Sequence, residues 1–450
     1  MFSYWKLHKI PILLALVSSV LYGVFGYNVA REDFITLICL FAALFFLYFK
    51  IIQFEKWNVP FLLVSGILFR LIFLLAEPNL SQDFYRFIWD GELTTLGINP
   101  YQYTPDELIN NATLQLPNAE ILHRGMGELS ARHYSNYPPV NQLLFALSAF
   151  LSMGSLKVAL VIMRLLILLA DLGIVYFGRK LLQQLNLSTH FVFWYFLNPL
   201  VIIELSGNLH FEGVMFFLFI WAFYLISKGK HLWAAPVYAA AIFLKLVPLL
   251  FLPLFLPLLG MKKSIAFYLV LGSSSFLLLF PLYSTELIDN YSQTLGLWFS
   301  NFEFNAGFYN LTKQLAVTYF EAKPWELIKD YGLLLKLYTA LFILLVTFFK
   351  PNHTIQEVLR SILLILSCYY LFSATVHPWY VIFLIGLSIF TTYRYPLVWS
   401  GMVIVSYFAY SQPDFQENLW VLFFEYSVVI GFIAYEFIKN KDYLSLIRQK

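Results

Sequence analysis

About fourteen apolar runs follow one another from residue 10 to residue 437, most of them separated by only a few polar residues. No single water-soluble core can absorb so many. In hydrocarbon, backbone groups must be satisfied within the segment, so the runs predict an all-α, polytopic transmembrane bundle of about 14 spans. Several runs fall short of the ~20 residues a perpendicular helix needs, which local bilayer thinning or burial inside the bundle can accommodate. Composition agrees: 12% of residues are charged, where a soluble protein has about 25%. Aromatics reach 20%, more than core packing requires, and many are expected in interfacial belts. The only cysteines, Cys39 and Cys368, both lie in apolar runs, which argues against a disulfide framework or a zinc site. The basic N-terminus leads into an apolar run with no small-residue cleavage site, so a retained span is expected and not a signal peptide.

Basic residues set the orientation. Lys6, Lys9, Lys50, Lys56, Arg179-Lys180, Lys228, Lys230, Lys262-Lys263, Lys350, Arg394 and the tail from Lys439 to Lys450 fall on one side when the runs alternate. That side is expected to be cytoplasmic, with both termini inside. The other side receives residues 78–136, residues 283–330 and the acidic Ser411–Asn418 turn. Residues 139–151 are also apolar. Counting them as a span would reverse the later loops, so they are expected to form a juxtamembrane or re-entrant helix. Residues 232–261 are expected to form two short helices broken near Lys245–Pro248. There is no internal repeat and no boundary of a separate soluble domain, so residues 1–450 are expected to form one integral-membrane unit.

The segment 78–136 is too long for a passive connector. It opens on Gln82-Asp83-Phe84-Tyr85-Arg86-Phe87-Ile88-Trp89-Asp90-Gly91. As a helix, this puts Asp83, Arg86 and Asp90 on one face and Phe84, Phe87 and Ile88 on another, which suits a helix lying at a membrane surface. Asp83 fits a general base for a hydroxyl nucleophile, and it equally fits a helix N-cap. Arg86 and Asp90 either pair across a turn or leave the Arg86 fork for a phosphate. Arg132 and His133, just before Asn136-Tyr137-Pro138-Pro139, either hold a lipid phosphate or snorkel toward head groups.

Further candidates end the spans on the same side. Glu204, Asn208, His210 and Glu212 cluster near a span end and fit a hydrogen-bonding wall for a sugar, or a polar hairpin turn. His210 and Glu212 alone are too few ligands for a metal. Lys245, between apolar halves, fits phosphate neutralisation. His377 and Tyr380 in Val376-His377-Pro378-Trp379-Tyr380 lie on the face of Asp83, and His377 fits a phosphate or sugar hydroxyl. Glu303 and Asn305 are weaker candidates. Arg70, Arg164 and Asp171, inside apolar runs, read as structural. Polar residues gathered at one face in this way fit an enzyme better than a transporter or flippase, whose sites lie near the midplane between repeats.

The ordered set Asp83-Phe84-Tyr85-Arg86-Phe87-Ile88-Trp89-Asp90-Gly91, Gly97-Ile98-Asn99-Pro100-Tyr101 and Tyr137-Pro138-Pro139 resembles bacterial integral-membrane glycosyltransferases of the GT-C superfamily. The likeness extends to Asn198-Pro199-Leu200 with Glu204 and Gly207-Asn208, to Lys245-Leu246-Val247-Pro248, and to His377-Pro378-Trp379-Tyr380. The closest likeness is to the polyprenyl-phosphate-mannose-dependent mannosyltransferases. The resemblance implies inverting transfer of a hexose, with mannose the expected sugar. The donor would be a polyprenyl-phosphate sugar, the acceptor a glycan or lipid-linked acceptor, and the place the extracytoplasmic face of a bacterial inner membrane. Asp83 would be the base. Arg86, Arg132, Lys245 and His377 would meet the phosphate, and Tyr101, Tyr137 and Trp379 would stack on sugar rings. The chain departs from the pattern in having no D-x-D and in reading His210-Phe211-Glu212 where His-Asn-Asp is usual. No metal or other cofactor is therefore expected. A polysaccharide polymerase or ligase is the nearest enzymatic alternative.

Overall fold

The computed structural model describes residues 2–111, 114–300 and 302–448, and among these it is helical without a single strand ladder. Every predicted apolar run is helical, yet only seven helices are long and apolar enough to cross a membrane. A bent pair, Thr189–Phe196 with Pro199–Gly207, makes eight. The remaining runs form helices of 10–17 residues, or break into 3₁₀ turns such as Val247–Leu254, in keeping with the expected short segments. At 1.5 Å per residue these are shorter than a ~30 Å hydrocarbon layer.

The N-terminal half proceeds as α1 (Phe2–Asn28), α2 (Phe34–Glu55), α3 (Val59–Ile72), α4 (Asp83–Thr95), α5 (Pro105–Ile109), α6 (Ala119–Ala131), α7 (Pro139–Ser152) and α8 (Leu156–Gln184). Caps explain the breaks. The side chains of Asp33 and Asn58 accept from the amides of Thr36 and Phe61 at the starts of α2 and α3. Thr104 and Glu107 form a capping box on α5. Residues 78–136 thus hold three helices, and the second long connection holds Leu287–Ser300 and Phe308–Phe320.

The helix α7 is one of the shorter apolar helices. At its start, the Val140 amide bonds the Phe243 carbonyl (2.9 Å) and Asn141 bonds the Leu244 carbonyl (2.7 Å). Just past its end, the Asn118 amide group donates to the Gly154 carbonyl at 2.8 Å. α7 lies against α4, where Gly91 faces the Phe145 carbonyl so closely that a Cβ would stand 2.4 Å from its oxygen. The Phe87 and Phe145 rings stack beside it at 4.6 Å. The chain breaks after His231–Ile242 and resumes at Val247, as expected, and this break carries Lys245.

Buried arginines satisfy the broken backbone of the bent pair. Arg70 pairs with Asp171 (2.7 Å) and donates to the Phe196 carbonyl (2.8 Å) at the bend. Arg164 donates to the carbonyls of Ser206 and Gly207, which end the wide turn Ile202–Gly207. Arg164 and Asp171 do not pair with each other. Each guanidinium replaces hydrogen bonds that hydrocarbon cannot supply.

Candidate functional site

Asp83 is the first residue of α4, and Gln82 holds the cap position without a side-chain bond. No hydrogen bond to a helix amide holds the Asp83 carboxyl, so the N-cap reading fails. The carboxyl is half-buried, lies near Tyr137 and sits within the fields of Lys245, Glu212 and Arg31. Burial lifts it from an ordinary 3.8 to about 6; Lys245 opposes that rise, Glu212 adds to it, and Tyr137 and Arg31 oppose it. The carboxyl is therefore mostly ionised at neutral pH, with a basicity near that of imidazole.

Around Asp83 the chain brings together residues from widely separated elements. Lys245 Nζ sits 2.8 Å from Glu212 Oε1 and 5.9 Å from the centre of the Tyr137 ring. Glu204 accepts from the Tyr407 hydroxyl at 2.8 Å and from Asn208 Nδ2 at 3.2 Å. Asn208 in turn accepts from the Leu80 amide at 3.2 Å, tying this cluster to the segment that leads into Asp83. Between Asn208 and His210, the buried Leu209 holds φ at 64°. A non-glycine residue there costs roughly 1–2 kcal/mol, strain of the kind that collects at functional sites.

A wall of stacked rings closes one side. His210 stacks on Trp379 at 3.8 Å, Trp379 on His377 at 4.3 Å, His377 on Phe304 at 5.0 Å and Phe304 on Phe415 at 5.7 Å. Phe304 reaches this wall from the second long connection through a backbone bridge to Thr375. The Tyr380 ring stands edge-on to His377 at 5.3 Å, within electrostatic reach of Asp83 and Glu212. Three buried polar atoms facing this region have no hydrogen-bond partner: His210 Nε2, Glu212 Oε2 and His377 Nδ1. Together they offer hydrogen bonds of the kind a sugar's hydroxyls use.

The structure therefore gathers Asp83, Tyr137, Asn208, His210, Glu212, Lys245, His377 and Tyr380, but not the other candidates. Arg86 is buried, bonded to Asp90 (2.7 Å) and to the carbonyls of Ser130 and His133. Asp90 also accepts from Ser135 and Gln142. The pair fastens the long connection to α4, with Arg86 Nη2 left without a hydrogen-bond partner among the described residues. Arg132 is exposed and pairs with Glu128 on the outer surface of α6. Tyr101 is buried with its hydroxyl on the Tyr137 carbonyl (2.6 Å), supporting Tyr137 and not a sugar. Burial and the nearby Lys245 push His377 down to about 3, so it is neutral and no cation for phosphate. Glu303 pairs with Lys313, and Asn305 bonds Glu425. Among the described residues, no group of three His, Cys, Asp or Glu comes together as metal ligands would.

Sequence reasoning missed three contributors: Arg31, Tyr407 and Tyr410. Arg31 lies in the α1–α2 turn with its guanidinium 4.5 Å above the Tyr410 ring. Its signal was available, since it is a basic residue on the side otherwise poor in them.

A helical membrane bundle with an acid, cations and a ring wall gathered together fits a membrane-embedded enzyme. The chain belongs to the alpha-(1->6)-mannopyranosyltransferase family, whose N-terminal-domain model matches residues 24–261. It is thus an integral-membrane mannosyltransferase, in keeping with the GT-C resemblance. No curated protein matches the chain.

Proposed function

We propose that the protein transfers mannose, with inversion, from a polyprenyl-phosphate donor to a hydroxyl of a glycan or lipid-linked acceptor. The reaction takes place on the extracytoplasmic face of a bacterial inner membrane, with both termini in the cytoplasm. The acceptor oxygen attacks the anomeric carbon, the bond from that carbon to the phosphate oxygen breaks, and polyprenyl phosphate leaves. The hydroxyl proton passes to the Asp83 carboxylate. A phosphate leaves readily, so the step needs no strong general acid and no divalent ion. Electrostatic stabilisation of the charge arriving on the phosphate does most to lower the barrier. Neutral His210 and His377, Glu212 and the face of Trp379 hold the sugar.

The observation that carries this reading is the Asp83 carboxyl. It is free of its own helix, close to Tyr137, within the fields of Lys245 and Glu212, and of suitable basicity. The test supplies detergent-purified protein with polyprenyl-phosphate mannose and a glycan acceptor, with Asp83→Asn in parallel. Wild-type transfer that falls ~10²–10⁴-fold in the folded variant is expected for loss of a general base. Full activity in the variant removes Asp83 from this role. Absence of turnover across a panel of polyprenyl-phosphate sugars removes the donor class. Transfer unchanged by chelator is expected throughout.

A further inference from the structure

The sequence offered four cations for a phosphate; in the structure Arg86 pairs with the buried Asp90, Arg132 pairs with Glu128 on an exposed surface and His377 is neutral. The fourth, Lys245, already lies 2.8 Å from Glu212. Asp83, Glu204 and Glu212 supply three carboxyl groups to the same small volume. An anionic diester entering there needs a cation that no buried carboxylate has claimed.

Arg31 is such a cation. Its place beside Asp83 follows from the chain path. Asn79 donates to the carbonyls of Phe25 (2.8 Å) and Val29 (2.7 Å), stapling the end of α1 to the segment four residues ahead of Asp83. Arg31 follows Val29 by two residues. On its other side, the guanidinium rests on Tyr410, whose ring lies 5.7 Å from Tyr407, and the Tyr407 hydroxyl holds Glu204. Phe34 meets Phe408 edge-on at 5.2 Å, fixing the α1–α2 turn on this wall. Among the described residues, the carboxylate that pairs with Arg31 is Glu32, 3.6 Å away and largely exposed, so water screens it. Asp33 is occupied as the cap of α2. A guanidinium carried over a ring is held in place by it, and its fork of N–H donors suits phosphate oxygens.

We propose that Arg31, on the turn of the N-terminal helical hairpin, is the principal anchor of the donor phosphate, with Lys245 the second cation. This rests on the donor class proposed above. A sugar phosphodiester carries one negative charge, whereas the departing monoester carries up to two. An arginine on those oxygens therefore binds the leaving group more strongly than the donor, and its loss lowers kcat as well as donor affinity.

The test uses the full chain in detergent and a short-chain polyprenyl monophosphate as the probe, with wild type, Arg31→Gln and Arg31→Lys. Thermal unfolding confirms that each variant is folded. The Gln variant is expected to bind the monophosphate about tenfold or more weakly and to lose about 10²-fold in kcat/KM for the donor, with acceptor KM unchanged. The Lys variant recovers part of both. Wild type that fails to bind the monophosphate overturns the donor class itself. Wild type that binds it, together with a Gln variant that binds it within twofold, overturns the assignment of Arg31 alone. A Gln variant raising only the acceptor KM overturns the assignment as well.

Discussion

Replacing Asp83 by Asn should make the protein inactive and, at neutral pH, harder to unfold. The Asp83 carboxyl titrates at about 6 in the folded protein against an ordinary 3.8. A difference of that size corresponds to ~3 kcal/mol, an upper figure because the side chain keeps some contact with water. The direction follows from the rise. Below about pH 4 the carboxyl is protonated in folded and unfolded chains alike and costs nothing. Between about pH 4 and 6 the unfolded chain ionises first, and above about 6 the folded state carries the full cost of a desolvated charge. Asparagine keeps the shape without that charge. The assay is thermal unfolding of detergent-solubilised wild type and Asp83→Asn at one scan rate, at pH 7.5 and near pH 4.5. The variant should melt higher at pH 7.5, and the gap should shrink at the acid end. A variant that melts at or below wild type at pH 7.5, or a gap of equal size at both pH values, refutes the argument.

The neighbours of Asp83 should move the acid limb of kcat/KM in opposite directions. Lys245→Met, which removes an attractive charge, shifts it to higher pH by about one unit, and Glu212→Gln, which removes a repulsive one, shifts it lower; a pH-rate series from 5 to 8 reads both, and shifts in the same direction would count against the site. Gly91→Ala should destabilise the protein by roughly 1–3 kcal/mol, because its new methyl meets the backbone oxygen of Phe145, which cannot swing aside. An unchanged melting temperature would show that α4 and α7 are not so closely apposed.

The helical class, the break at Lys245 and most of the polar cluster were legible because each rests on local pattern. Apolar runs, prolines and stranded polar residues mark themselves. Where each helix would break was not legible, since a run of apolar residues reads the same whether it forms one long helix or a short one. The roles of Arg86 and Arg132 were not legible either. A side chain's partner depends on how α4, α6 and the residues after them fold back together, and spacing along one helix does not report it. Arg31 lay more than fifty residues before the motif it joins. Contacts between distant parts of the chain bring it there: the Asn79 staple, the Tyr410 ring and the Phe34–Phe408 pair.

The ring stack from His210 to Phe415 gives the two halves of the chain unequal tasks. The half matched by the family model, residues 24–261, contains Arg31, Asp83, Glu212 and Lys245, the charged members of the cluster. The remainder contributes His377, Trp379 and Tyr380, most of the ring wall beside them, along with Tyr407 and Tyr410, which hold Glu204 and Arg31. Neither half encloses a complete site, and a fragment ending near residue 261 would keep its charges without a wall. The division also leaves selection free to recut the sugar-facing surface in the second half while the bond-breaking charges in the first stay as they are.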